Sequence, residues 1–389
     1  MRSGLSLETI RLIEAHQGFA ARLYGEVARG NPGNLGLSPY SIAHVLTLLL
    51  GGTTGATHVG IRKALGYDPD AAYIHRSMSE LRSCITTPAP RSVLDHRFET
   101  ADALWLQRGW RLQSSFATLV EQHYPGQVHQ VDYQNDPDAA VATINAWVEE
   151  RTHERITNLI PSTSDSTRII LTIAVWLKAE WQKPFLTQLT RPGPFTTLTC
   201  TVQVPLMHAT THDRVLRIPG GVVALASCHR ELSLVVVVPD QVDGLATLEA
   251  QVVGGALPGW IAEASGHRIE WVLPKMQLYQ TDFLILTEHL QALGLRHGGP
   301  NDFAGMATPP PGDLQRIQQM AILHKVFLSI DELGMEATAA TTLGDLSGSA
   351  RTAEPVPVHC DRPFLWAICH GFTRSILFIG RVTDPTLGF

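Results

Sequence analysis

Residues 168–181, RIILTIAVWLKAEW, form an apolar run without clean alternation of polar and apolar side chains. A strand with one wet face alternates, whereas a strand covered on both faces need not. The run is therefore expected to lie in the middle of a large sheet, with material packed above and below it. Seven further segments follow, separated by turn signals: TLTCTVQVPLMHA, RVLRIPG, VVALASC, LSLVVVVP, HRIEWVLPKMQLY, AILHKVFLSID and RSILFIGRV. They make the C-terminal half rich in strands.

The N-terminal part reads as helix. Over 6–29, Leu7, Ile10, Ile13, Phe19, Leu23 and Val27 fall mostly on one stripe, and NPGN at 31–34 ends it. LSPYSIAHVLTLLLGG at 37–52 gives a short strand and then a helix so apolar that it must be buried nearly all round. Ser38 or Ser41 supplies its cap. Further helices are expected at 54–67, stopped by Gly66, at 71–84, in the first half of 114–133, and at 142–160. FETADALWLQRGW at 98–110 reads as a strand running to a turn at Arg108-Gly109. Helices come first and strands later, without a βαβ rhythm, which predicts a mixed α/β (α+β) class. No linker composition or internal repeat divides the chain, so residues 1–389 are expected to form one domain.

Composition excludes several functions. A formal net charge of -6 argues against a general nucleic-acid binder. The longest apolar stretches, such as LSLVVVVP at 232–239, are too short to span a bilayer. The N-terminal MRSGLSLETIRLIEAH has no apolar core of a secretory signal, so a cytoplasmic location is the default expectation and an extracellular one stays open. The five cysteines, Cys84, Cys200, Cys228, Cys360 and Cys369, are few, odd in number and widely spaced. They read as buried thiols, with a Cys360–Cys369 bridge left open. There is no GxSxG elbow, HExxH or P-loop, and the pairs His208/His212 and His359/Cys360 match no metal-ligand spacing. Ser38, His324 and Asp331 can be drawn as a triad only on paper. Neither enzyme activity nor a cofactor or metal is expected.

One segment breaks the pattern. Residues 331–361, DELGMEATAATTLGDLSGSARTAEPVPVHCD, separate two apolar strands but carry small polar side chains and no anchoring aromatic. A connection of this length inside a compact domain is uncommon and usually functional.

The chain resembles the serpin family in ordered blocks from about Thr9 to Thr386. NPGNLGLSPYSIAHVLTLLLGGTTGAT at 31–57, INAWVEERTHERITNLI at 144–160, AVWLKAEWQKPF at 174–185, VPLMH at 204–208 and LPKM at 273–276 carry it. So do HKVFLSIDELGMEATAATT at 324–342 and RPFLWAICHGFTRSILFIGRVTDP at 362–385. The resemblance implies about nine helices around a large, mostly antiparallel sheet A and two further sheets, with an exposed reactive loop within 332–361. It implies a monomeric, soluble suicide substrate of a serine peptidase. The cleaved loop inserts into sheet A as a new strand and drags the trapped peptidase with it.

Residue by residue, the resemblance places Ser38, Ser41 and His324 in the polar "shutter" beneath the middle of sheet A. It places Trp181 in the "breach" at the top, with Lys275 and Glu332 as an ion pair. The loop hinge becomes Glu332, Gly334, Met335, Glu336, Ala337, Thr338, Ala339, Ala340 and Thr341. No proline occurs between Glu332 and Glu354, as strand insertion requires. Three positions depart from the family pattern. Ile173 stands where an asparagine usually serves the shutter, Ala179 replaces a glycine, and Met335 replaces the usual Thr or Ser that enters first. Family spacing from Gly334 puts the reactive bond at Gly348–Ser349, which suits elastase-like or subtilisin-like enzymes. The alternative is Arg351–Thr352, which suits a trypsin-like enzyme. A non-inhibitory binding or chaperone-like role is the competing expectation.

Overall fold

The computed structural model describes residues 4–68, 72–86, 97–229, 231–279, 283–296, 299, 301–311, 320–335 and 354–388. Among these, nine α-helices are present: α1 (Leu7–Ala28), α2 (Pro39–Leu50), α3 (Gly55–Leu65), α4 (Ile74–Thr86), α5 (Ser114–His123), α6 (Pro137–Arg151), α7 (Leu245–Val253), α8 (Leu257–Glu263) and α9 (Thr287–Ala292). The strands of the first half are β1 (Leu35–Leu37), β2 (Arg97–Gln107), β3 (Arg111–Leu112), β4 (Val128–Val131), β5 (Ile169–Glu180), β6 (Arg191–Thr196) and β7 (Thr201–Ile218). Next come β8 (Gly221–Ser227), β9 (Leu232–Pro239), β10 (Ser265–Pro274), β11 (Met276–Tyr279), β12 (Leu284–Ile285) and β13 (Ala307–Thr308). The last are β14 (Ala321–Ile330), β15 (Gly334–Met335), β16 (Val356–His359), β17 (Phe364–His370) and β18 (Ser375–Val382).

Three sheets result. The largest runs β1-β18-β17-β9-β8-β7-β10-β16, with β6 added to β7. The second runs β11-β14-β15-β5-β2-β4, with β12 on β14 and with β14 also paired directly to β5. A small pair, β13 and β3, makes the third. The second sheet is mostly antiparallel; its parallel pairings are β2 with β4 and β5 with β14. It corresponds to the expected sheet A.

β5 sits where its composition requires. Eleven of its twelve residues are buried. One face, with Leu171, Ile173, Val175 and Leu177, joins the main core around α2. The other, with Ile170 and Ala174, packs under α6 together with Ala101, Ala103 and Trp105 of β2. α2 is wholly buried, as its unrelieved apolar sequence requires, and Ser38 caps it by accepting the Ser41 N–H. Gly66 ends α3 in the left-handed conformation that suits glycine.

Three boundaries differ from the sequence expectation. α6 begins at Pro137, capped by Asp136, and stops at Arg151. The expected remainder of that helix, 152–160, turns back instead. His153 and Glu154 take positive φ, and Asn145 exchanges two hydrogen bonds with the Ile160 backbone. The segments at 197–209 and 214–220 contribute to one 18-residue strand, β7, because the polar stretch between them pairs in full register with β10. HRIEWVLPKMQLY divides at Lys275 into β10 and β11, which belong to different sheets. All five cysteines are free thiols, and Cys228, Cys360 and Cys369 are buried. Among the described residues no helix is long and apolar enough to cross a membrane.

Candidate functional site

β5 and β14 meet as a parallel ladder seven residues long, from Ala321 opposite Ile170 to Phe327 opposite Trp176. Above Trp176 the two strands part, and β15 fills the gap. Gly334 and Met335 pair antiparallel with Glu180 and Ala179 of β5, and Met335 pairs antiparallel with Ile330 of β14. The hinge thus enters the top of a closed seam, running opposite to both walls. Met335 is fully buried there, facing the small, equally buried Ala179. Gly334 cannot be anything larger: a Cβ would lie 2.2 Å from the Ala179 carbonyl oxygen. Of the expected hinge, Glu332, Gly334 and Met335 are seen in place. Glu336, Ala337, Thr338, Ala339, Ala340, Thr341, Gly348, Ser349, Arg351 and Thr352 lie outside the described residues.

The top of the seam is tied by a dense polar set. Trp181 donates from Nε1 to the Asp331 carbonyl at 2.8 Å and from its backbone N–H to the Leu333 carbonyl at 3.0 Å. Glu332 receives Lys275 Nζ at 2.7 Å and the Thr190 hydroxyl at 2.8 Å, while its carbonyl accepts the Phe185 N–H. Burial would raise the Glu332 carboxyl, but the bonds from Lys275, its own backbone and Thr190 outweigh that and hold it below the usual range. Asp331 caps the turn into β15, its Oδ1 accepting the Leu333 and Gly334 N–H groups. Trp181, Lys275 and Glu332 are therefore brought together, and Asp331 and Thr190 join them.

The shutter residues also meet, under the middle of the seam. His324 Nε2 accepts the Ser38 N–H at 3.0 Å. Its Nδ1 must then carry the proton, which it donates to the Ile173 carbonyl at 2.9 Å. Ser38 Oγ donates to the Leu377 carbonyl at 2.8 Å. Ile173 was expected to deprive this cluster of a partner; instead its backbone carbonyl takes the bond. That bond crosses the seam from β14 to β5. Ser38 and His324 form no triad with Asp331, which lies at the top of the sheet, and the Ser38 hydroxyl is committed to a carbonyl. Full burial lowers His324 to about 4, so the ring is neutral over the ordinary pH range. Ser41 lies one turn into α2, facing Asp102 of β2, a buried carboxyl that the sequence reading passed over. Its signal was available: a lone acid in the apolar strand ADALWL.

A family model described as Serpin (serine protease inhibitor) matches residues 14–385. The chain belongs to the serpin family. A leukocyte elastase inhibitor of Equus caballus is 28% identical over 399 residues, covering 96% of this chain and 100% of the relative. The structure of Serpin48 from the insect Tenebrio molitor aligns with a TM-score of 0.84 at 25% identity, covering 97% of this chain and 99% of the other. Human thyroxine-binding globulin in complex with thyroxine aligns with a TM-score of 0.85 at 25% identity, over 97% and 99% of the two chains. Serpins include inhibitors of serine peptidases and non-enzymatic binders.

Two outcomes follow from this serpin's seam. His324 is held neutral, so the unfolded chain takes up a proton that the native state refuses as pH falls from 6.5 towards about 4. Its contribution is intact above the ordinary histidine range and is lost across that window, to a limit of about 3 kcal/mol. Urea midpoints measured through the window should therefore fall less steeply for His324→Gln than for the wild type; equal slopes would contradict the assignment. Gly334→Val should expel β15, because the Ala179 carbonyl leaves no room for the side chain. Amide hydrogen exchange at 334–335 is expected to become fast, and unchanged protection would refute the close approach.

Proposed function

We propose that this serpin inhibits a serine peptidase as a suicide substrate, by cleavage of its reactive loop, insertion of the loop into sheet A and covalent trapping. The observation that carries the reading is the antiparallel seat of Gly334–Met335 at the top of the parallel β5–β14 seam. A strand continuing from Met335 would replace one parallel ladder with two antiparallel ones. Parallel pairing is slightly weaker per residue, and each backbone bond gained contributes about 0.5–1.5 kcal/mol net. Insertion is therefore downhill once cleavage frees the loop, and the uncleaved molecule is metastable.

The register of β15 supports the same reading. Carried downward, it sets Ala337, Ala339 and Thr341 opposite Leu177, Val175 and Ile173 of β5, toward the main core. Small side chains suit that face. Thr341 would arrive between Ile173 and His324, where its hydroxyl can meet the Ile173–His324 hydrogen bond it displaces. Asp345, an awkward residue to bury, would fall opposite Ile169, the first residue of β5, at the lower end of the seam.

The reactive bond of this reading is Gly348–Ser349. Glycine there offers nothing to a deep specificity pocket, which favours elastase-like or subtilisin-like enzymes, and the relative that inhibits leukocyte elastase agrees in kind. Arg351–Thr352 is the bond a trypsin-like enzyme would choose, but it leaves the inserting arm three residues longer and gives deacylation more time. A second reading, a non-inhibitory serpin with a binding or chaperone-like role, is favoured by the bulky Met335 and by the likeness to thyroxine-binding globulin.

Challenge with a panel of elastase-like, subtilisin-like and trypsin-like peptidases separates these readings. An SDS-stable complex is expected, with a released C-terminal peptide beginning at Ser349. A trapped complex whose peptide begins at Thr352 would move the bond. Cleavage without a complex, and without a rise in melting temperature, would favour the non-inhibitory reading.

A further inference from the structure

Asp102, Ile173 and His324 stand in one row across β2, β5 and β14. All three lie on the face of the sheet that looks toward α2. Asp102 is 1% exposed. Ser41 of α2 and Thr100 of β2 face its carboxyl, yet both carboxyl oxygens and Ser41 Oγ are buried without closing a full hydrogen bond. The other titratable groups around it are Tyr40 of α2, Arg82 and Cys84 of α4, and His324 two strands away. None of them pairs with it. A carboxylate sealed in this way would be costly, so burial drives the group to stay protonated, well above the usual carboxylate range.

The surroundings of Asp102 differ between the closed and the open sheet. The N-terminus of α2 is bound to β14 through Ser38 N–H and His324, and to β18 through Ser38 Oγ and the Leu377 carbonyl. Asp102, by contrast, rides on β2, which pairs along ten residues with β5. α2 is held on both sides of the seam, its start by β14 through Ser38 and His324 and its later His44 by Gln127 beside β4 on the β2 side, so opening the seam would strain the first turn of α2, where Ser41 faces Asp102. A group biases an equilibrium only through such a difference between its two states.

We propose that Asp102 is a gating residue of loop insertion: sealed as the neutral acid between β2 and Ser41 in the closed sheet, it leaves that seal when the seam opens, so that loss of its proton favours the open sheet. The inference rests on the proposed insertion mechanism, but it assigns a role to a residue outside the hinge, the breach and the expected shutter set.

The test is the rate at which a synthetic peptide copying residues 336–348 enters the sheet of the full-length protein, read by tryptophan fluorescence and native-gel mobility. In the wild type the rate should climb from neutral to alkaline pH, by on the order of tenfold once the acid titrates. Asp102→Asn should flatten that climb, because asparagine keeps the shape and hydrogen-bonding capacity but cannot ionise. Any slope due to Tyr40, Cys84, Arg82 or His324 survives in that variant, so equal slopes in the two proteins would overturn the inference alone. Failure of every variant to take up peptide at any pH would overturn the insertion mechanism together with the inference. Infrared spectroscopy gives an independent measure of the starting state. A protonated carboxylic acid C=O band should be present in the wild type at neutral pH and missing from Asp102→Asn; its absence from the wild type would also overturn the proposal.

Discussion

The parallel contact between β5 and β14 is the interaction on which the rest of this molecule depends. Seven residue pairs hold two strands that run the same way, although most of their sheet is antiparallel. Parallel strands cannot be joined by a tight turn. Here the 140 residues from 181 to 320 separate the end of β5 from the start of β14, so nothing local fixes their pairing. The contact is held by what packs on either side: α2 beneath, α6 and its returning segment above. That segment lays His153 against Trp176 of β5 and Arg155 over Phe327 of β14, two rings that face each other across the seam. It spans the line along which the sheet would part, so widening the seam must disturb it.

The polar groups under the seam explain why a closed sheet persists. A hydrogen bond buried in an apolar core is stronger than one in water, and leaving its partners unpaired is correspondingly expensive. His324 joins α2, β14 and β5 with a single neutral ring. Separating the strands breaks its bond to Ile173 in a place that water does not reach. Under the proposed mechanism the barrier is local and polar, while the driving force for insertion is distributed along the whole ladder. A fold can be kinetically trapped when these two contributions live in different parts of the structure.

Much of this was legible in the sequence, because local chemistry dictates it. The unbroken apolar run of β5 announced a strand covered twice, and the Ser-Pro start of an all-apolar helix announced the buried, capped α2. What escaped depended on tertiary partners. β7 read as two strands because its polar middle is legitimate only beside β10. α6 read long because the segment after it keeps apolar residues, Ile156, Leu159 and Ile160, which pack on the sheet from an irregular backbone rather than a helix. Ile173 read as a lost hydrogen-bond partner, since a sequence shows side chains and the replacement here is a main-chain carbonyl. Asp102 was passed over because one acid in a strand is ordinary until register places it in a sealed row.

Met335 and Ala179, two departures from the family pattern, face each other at the top of the seam. A long thioether entering first would need space where a threonine or serine normally goes. Ala179 faces it across the pairing, and both side chains are fully buried. Methionine adapts its shape to irregular gaps, and burying it stabilises the seated hinge by roughly 1.5–3 kcal/mol relative to leaving it in water. Under the proposed mechanism, part of the desolvation that would favour insertion is already made in the uncleaved chain. Under the proposed mechanism, the remaining insertion would start from two residues already in register with the strands on either side. A bulky first residue slows insertion only if it must still be forced between the strands; here it is already there.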